Sequence, residues 1–437
     1  MSAMKSLAVA VLTVALAACG SPPEGPPLSP PPSPEPAPSP LPSPTPVPAI
    51  AVRGRAVGLN GLPVIGLTAV IAGHPAVNVD GDGQFAIADV RAPYDLTLVD
   101  GAAQHATIYR GLTRVDPTIV VSDARPASSL SATISGTVTG GHYPQQSGED
   151  SWAAFVSPQV RALTRINGSG SAGAFSLPVG WAGAATVAGR VHALQFSWQG
   201  SLPASFTGYG SAGVTLSGGG TFAPAISMAP ITSGTITGMV ALPSAYSVIG
   251  KQYAIHLDGI RAMAINDATA SDSFTYVVPN VTGAELSAVV VAGDPLGNAI
   301  IHTSAPVPAG GAIRLAPRPA PELILPANGA RDVGQSMTFS WSTFEGGIHR
   351  VAFAEDGGSG YRVTVFTRDG STTLPDLSAL GLSIPRGAPF RWSVTGIAPV
   401  SGTDEIASPA FADRLALSSG KETFYGLTVE RTLTTAP

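Results

Sequence analysis

Cysteine is almost missing from this chain: Cys19 is the only one among 437 residues. A single thiol excludes an intramolecular disulfide, so the folded part must be held by its cores alone. Charge is scarce as well. Asp, Glu, Lys and Arg make up 12% of the sequence, about half the usual share, and the net charge is −5. With no basic block, nucleic-acid binding has no electrostatic support. After Leu16 no apolar run approaches the ~20 residues that a spanning helix needs. Chemical signatures are equally thin. The seven histidines (74, 105, 142, 192, 256, 302 and 349) form no HExxH and no close pair. A GxSxG elbow and a Walker lysine are absent, and no cofactor is implied. These absences argue against an enzyme, although Ser, His and acid brought together only in space would leave no such trace.

What is abundant is Gly, with 51 residues, and Pro, with 41. Short runs of Val, Ile, Thr and aromatics lie between Gly, Pro and Asn turns, the pattern of β-sandwiches. The length suits three or four domains. The reading is all-β: tandem β-sandwich domains after a signal peptide and a Pro-rich disordered stalk. The boundaries expected are 1–18 for the signal peptide, 19–48 for the tether, 49–126, 127–231 and 232–317 for three sandwiches, and 318–437 for a fourth.

The N-terminus carries Lys5, an apolar segment from Leu7 to Leu16, and then Ala17-Ala18-Cys19. The apolar segment suits a secretory signal and is too short to span a bilayer. Leu16-Ala17-Ala18-Cys19 resembles the lipobox of bacterial lipoproteins; the competing reading is a stray thiol in an ordinary signal peptide. The resemblance implies cleavage before Cys19, a diacylglyceryl thioether on its sulfur and an acylated new N-terminus, with the membrane as partner. Several acyl chains on one residue anchor stably where one does not. Gly20 follows in place of the Asp that retains such proteins at the inner membrane, so the outer membrane or cell surface is the expected location. Every even position from Pro30 to Pro48 is proline. Such a segment is extended polyproline II with a reach of roughly 80–90 Å, a semi-rigid stalk rather than a PxxP ligand.

Three degenerate repeats follow. Their openings are Val52-Arg53-Gly54, Ile134-Ser135-Gly136 and Ile236-Thr237-Gly238, and each later reaches a Gly/Asp/Ser-rich turn and a Phe: Phe85, Phe175 and Phe274. In the first copy Tyr94, Leu96 and Leu98 alternate with Asp95 and Thr97, as in a half-buried strand. Gly54, Asn60-Gly61-Leu62-Pro63-Val64, Asp82-Gly83-Gln84-Phe85 and Tyr94 resemble the carboxypeptidase regulatory-like, transthyretin-type sandwich. That family implies a seven-stranded, non-catalytic module. The last region has Phe339-Ser340-Trp341, Tyr361-Arg362-Val363-Thr364-Val365 and Phe390-Arg391-Trp392-Ser393-Val394. This order resembles bacterial fibronectin type III-like domains, which implies that the early and late Trp pack between two sheets. Asp376–Leu380 is expected to form a helical turn, and Phe424–Val429 an additional edge strand.

Few residues point to a ligand. Gly168–Gly173 and Gly208–Gly213 match GxGxxG, but strands follow them where a dinucleotide site needs a helix, so both read as turns. Asp80, Asp82 and Asp89 are the only metal candidates, and a hairpin turn accounts for the first two. In the second repeat His192, Leu194, Phe196 and Trp198 alternate with Ala193, Gln195, Ser197 and Gln199, which places Trp198 on a core face. Trp181, between glycine and alanine, is expected to be exposed. Trp152, Trp181 and Tyr209 are therefore the candidate ligand-binding residues, suited to stacking on a sugar or anchoring a protein. The functional expectation is a lipid-anchored envelope protein with a structural or adhesive role. The alternatives are glycan or peptidoglycan binding, and an accessory subunit of an envelope machine. Cys19→Ser is expected to leave the protein soluble or uncleaved. Mass spectrometry of wild-type mature protein checks the same point, since an unmodified thiol at Cys19 contradicts the anchor.

Overall fold

Alternation builds the first strand. Ile50–Gly58 turns Val52, Gly54 and Ala56 inward and Ala51, Arg53 and Arg55 outward. A computed structural model describes residues 48–58, 62–121, 130–143, 145–181, 184–357, 360–411 and 420–437. The signal segment, Cys19, the stalk up to residue 47 and Asn60-Gly61 lie outside the described residues. Ile50–Gly58 pairs antiparallel with Gln84–Val90 and parallel with Thr118–Val121. The same arrangement recurs twice. Leu130–Tyr143 lies between Asn167–Trp181 and the short strands Thr221–Phe222 and Ala225–Ser227. Ser233–Val240 lies between Ser273–Pro279 and Ala312–Leu315. In each copy the opposing sheet runs hairpin-to-hairpin in one order, exemplified by Val77–Asn78, Thr68–Ile71, Tyr94–Asp100 and His105–Leu112. The three repeats thus share one sandwich topology.

The conserved spacing from Gly to Phe within the chain has a direct structural meaning. Gly54 faces Phe85, Gly136 faces Phe175 and Gly238 faces Phe274 across neighbouring strands. In all three pairs the phenyl ring lies over the glycine, where a Cβ would fall inside it. The ring covers backbone that a glycine would otherwise expose, and so offsets part of its low strand propensity.

The C-terminal region is a fourth sandwich. Leu323–Leu325, Thr338–Trp341 and Ser371–Thr373 form one sheet. The other contains Arg362–Thr367, Ile348–Glu355, Pro389–Ala398 and Arg431–Thr435. Trp341 and Trp392 are both buried between them. Phe339 meets Phe353 edge-on at 4.8 Å and Trp392 at 5.1 Å. A short 3₁₀ turn at Ser378–Leu380 falls within the expected helical segment.

Sheets continue across the boundaries between sandwiches. His105–Leu112 of the first pairs parallel with Arg362–Thr367 of the last. Ala299–Thr303 of the third pairs with Thr423–Leu427, which also pairs with Pro389–Ala398. The result is one fifteen-stranded sheet. Thr423–Leu427 is therefore an interior strand, which corrects the expected edge strand: its two neighbours come from different sandwiches. Residues Ala106 to Tyr109 are all buried because this strand serves two cores. Ala106 and Ile108 enter the C-terminal core while Tyr109 enters the first, its ring stacked on Phe366 at 4.5 Å. The second sandwich instead packs face to face on the third. Ala154, Leu194, Phe196 and Phe206 join the core that holds Tyr253, Ile255 and Tyr276.

Two kinds of buried polar group stabilise this assembly conditionally. Lys251 and Asp267 face each other on paired strands, 3.5 Å apart and almost wholly buried. Lys251 Nζ donates to Thr269 O, Thr269 Oγ1 and Ser271 O, and Tyr276 donates to Asp267. Burial opposes ionisation of Asp267, but bonds from Thr269 and Tyr276 and the Lys251 charge outweigh it and keep its carboxyl below the ordinary range. The second kind is histidine. Burial holds His192, His256 and His349 at about 4, so all three are neutral in the folded protein.

Lys251→Met strands a buried carboxylate and is expected to cost about 3–5 kcal/mol; Lys251→Met with Asp267→Asn should cost less, as read by urea unfolding. The histidines set a pH dependence. They bind protons near 6.5 when unfolded and near 4 when folded, so their contribution is complete above pH 6.5 and is lost as pH falls to about 4. Each shift corresponds to roughly 3 kcal/mol. Melting curves from pH 7 to 4 should show this loss, and His256→Gln with His349→Gln should flatten it.

Candidate functional site

Where the two parallel strands of the first seam end, their chains part. His105–Leu112 runs on into Thr113 and back to its own sandwich, while Arg362–Thr367 turns through Arg368–Gly370 into Ser371–Thr373. Two hollows of about 680 and 550 Å³ open at this divergence and share Arg368 and Ser401. Both volumes lie within the range of small-ligand sites, and domain junctions are a common place for them. The larger is lined by Phe344, Glu345, His349, Pro399 and Glu405 beside the shared pair. Asp95, Arg110, Asp369, Thr403 and Asp404 complete the smaller.

Backbone hydrogen bonds hold most of the acidic side chains. Asp404, on the helix Thr403–Ile406, accepts from the N–H groups of Thr113 at 2.8 Å and Arg114 at 3.2 Å and from the Thr113 hydroxyl. Asp95 accepts from Gly111 N–H at 2.8 Å. Glu405 accepts from Ser401 N–H at 2.8 Å and from its hydroxyl at 3.0 Å. The loop carrying Glu345 is held by Phe344 N–H donating to His349 Nε2 at 3.0 Å and by Val400 N–H donating to Gly346 O at 3.1 Å. Arg110 and Arg368 differ: among the described residues neither guanidinium has an ion pair or hydrogen bond. The last paired rung is Phe366 with Tyr109, so Arg110, on its strand, and Arg368, in the turn after the other, sit just past it.

Two groupings resemble catalytic sets, and in both the side chains are already engaged or enclosed. Ser401, Glu405 and His349 line one hollow, but His349 Nε2 is occupied by Phe344 N–H and the Ser401 hydroxyl donates to Glu405. Burial, working against Asp369 nearby, lowers His349 to about 4. In the third sandwich His256 Nε2 lies 2.8 Å from Ser287 Oγ. Both residues are buried, and His256 Nδ1 has no partner. Among the described residues that pair has no acid to orient the imidazole, and both side chains are enclosed.

The aromatic candidates do not form a platform. Trp152 and Tyr209 flank Leu194 on one cross-strand row, and all three turn toward the third sandwich. Tyr209 OH is 3.0 Å from His192 Nδ1, and Arg165 lies over Trp152 at 6.0 Å. Trp181 is on the opposite sheet, only 1% exposed, with its indole N–H donating to Ala184 O at 2.9 Å. Its expected exposure is thus corrected: the flanking small residues accompany a buried ring. Trp198 does pack against a core, but the core is the one shared with the third sandwich. Val191 and Ala193 enter the second core, whereas Leu194, Phe196 and Trp198 face the seam with the third. Alternation detects a buried face without identifying what buries it. The two GxGxxG segments lie within the strands Asn167–Trp181 and Leu202–Ser217 and are not simple turns. Gly210 is required where the chain passes close to Ser227 O.

Asp80 accepts from the N–H groups of Asp82 at 2.9 Å and Gln84 at 2.7 Å, so its carboxylate closes its own turn. Asp89 lies on the following strand. Among the described residues no three His, Cys, Asp or Glu are placed to hold a metal ion. Arg110, Arg368 and Glu345 escaped the sequence reading because each is an isolated charge in a separate segment.

No protein-family model matches the chain, and no curated protein matches it. Solved structures give only remote likenesses. The TIE protein of Bacillus anthracis is 8% identical with a TM-score of 0.15, covering 62% of this chain and 50% of that one. A calcium-stabilised adhesin with which an Antarctic bacterium binds ice is 13% identical with a TM-score of 0.14, covering 89% and 99%. A streptococcal ancillary pilin is 8% identical with a TM-score of 0.13, covering 62% and 93%. This chain spans only half the length of the first of these. Likeness at that level establishes neither a common evolutionary family nor a common function.

Proposed function

We propose that this chain is a lipid-anchored cell-envelope protein, at the outer membrane or cell surface, whose β-sandwich body has a structural or adhesive role without catalysis. The observation that carries the reading is the fifteen-stranded sheet shared by three sandwiches. Domains joined by backbone ladders move together, whereas domains joined by ordinary polar interfaces move independently. A body of this kind suits holding and spacing better than opening and closing around a substrate. Anchoring rests on Leu16-Ala17-Ala18-Cys19, and the proline-rich segment supplies the spacer between anchor and body. The occupied imidazole of His349 and the enclosed Ser287–His256 pair support a non-catalytic role.

Two measurements test this. Protease added to intact Gram-negative cells expressing the full chain should digest the body, and protection until lysis would overturn its placement at the cell surface. Full-length protein in detergent should give one dominant calorimetric transition. Tyr425→Pro removes an N–H within the interior strand Thr423–Leu427 and should split that transition. Separate transitions in the unmutated protein would overturn the reading of the body as one cooperative unit.

A further inference from the structure

We propose that the paired hollows at the seam of the first and last sandwiches form a binding site for an uncharged, hydroxyl-rich saccharide chain. This inference rests on the reading of the protein as a surface-displayed body and assigns that body a ligand. The argument begins with the kinds of hydrogen-bonding group present. Arg110 and Arg368 are donor-only, and the five carboxylates, Glu345, Glu405, Asp95, Asp369 and Asp404, are acceptor-only. An anionic ligand would confront the carboxylates. A cationic ligand would confront two guanidinium groups. A sugar hydroxyl both donates and accepts, so it can bridge from an arginine to a neighbouring carboxylate without meeting a like charge.

The acceptors are also already positioned. Asp95 and Asp404 are each fixed by backbone N–H groups, and a carboxylate has about four lone-pair sites, more than those bonds use. Holding them before the ligand arrives lowers the ordering cost of binding. Among the described residues the two arginines have no ion pair or hydrogen bond to give up. The hollows share Arg368 and Ser401, so a ligand of more than one ring can meet donors and acceptors in both, where a single ring meets those of one. Phe344, the aromatic residue in the larger hollow, is buried, so recognition here relies on hydrogen bonds in place of ring stacking.

The test uses the full-length protein in detergent on affinity gels containing dextran, laminarin, xylan or galactomannan, with polygalacturonate and poly-lysine as charged controls. Retention by at least one neutral polymer is expected. Arg110→Ala with Arg368→Ala should weaken it at least tenfold, and Glu345→Gln should weaken it measurably, both with unchanged melting temperature. Trp152→Phe should bind as wild type. Retention only by a charged control, no retention by any neutral polymer, or wild-type retention by the double arginine variant would each overturn the proposal. Cys19→Ser, whose effect is on anchoring, should bind the same polymer, so failure of the anchor and failure of the site are read separately.

Discussion

An open β-sandwich ends in strands whose outer N–H and C=O groups have no partner, and such edges invite uncontrolled pairing. The structure depends on how this chain satisfies those edges. His105–Leu112 and Arg362–Thr367 pair with each other, and Thr423–Leu427 fills the space between Ala299–Thr303 and Pro389–Ala398. Backbone hydrogen bonds need no charge and no thiol. They are a means of joining domains that remains open to a chain with 12% charged residues and one cysteine.

One segment of the last sandwich reaches both neighbours. Between Pro389–Ala398 and Arg431–Thr435 the chain forms the helix Thr403–Ile406 and the strand Thr423–Leu427. The helix sends Ile406 and Ala407 into the first core, and Ala407 O accepts from Thr118 N–H at 2.7 Å. The strand completes the sheet of the third sandwich, and just beyond it Val429 N–H donates to Asn298 at 2.9 Å. This one insertion thereby contacts both the first and the third sandwich, adding to the ladder that already joins the first to the fourth. The second is held differently, by Leu194, Phe196 and Phe206 packed on the third core and by Arg190 and His192 against Asp258, with no shared ladder among the described residues.

The seams also explain the chemistry of the buried polar groups. His192 and His302 lie where sandwiches meet, His192 3.5 Å from Asp258 and His302 3.0 Å from Glu422. Enclosure from both sides removes water from the imidazoles, and burial lowers both despite the acidic neighbours. At the opposite extreme, the first seam ends in an open hollow. Two parallel strands from different sandwiches must send their chains in different directions, and the space between them is lined by whatever side chains follow the last rung. Here those are Arg110 and Arg368.

The sequence by itself determined the local patterns. Periodicity located Tyr94, Leu96 and Leu98 on one strand face. The spacing of Gly54, Gly136 and Gly238 from their phenylalanines marked three copies of one sheet. The lone Cys19 and the alternate prolines are read from the sequence alone, because they lie outside the described residues. Only the tertiary structure decided which surfaces those faces meet. Leu194, Phe196 and Trp198 alternate as core residues should, yet they cover a neighbouring sandwich, because hydrophobic burial has no direction that a single strand can record. Trp181 is buried beside small residues, and Thr423–Leu427 is interior because a partner strand far away in sequence supplies its second ladder. The groove was not legible for the same reason: Arg110, Arg368 and Glu345 are each unremarked in their own segments, and only the pairing of distant strands brings their charges to one place.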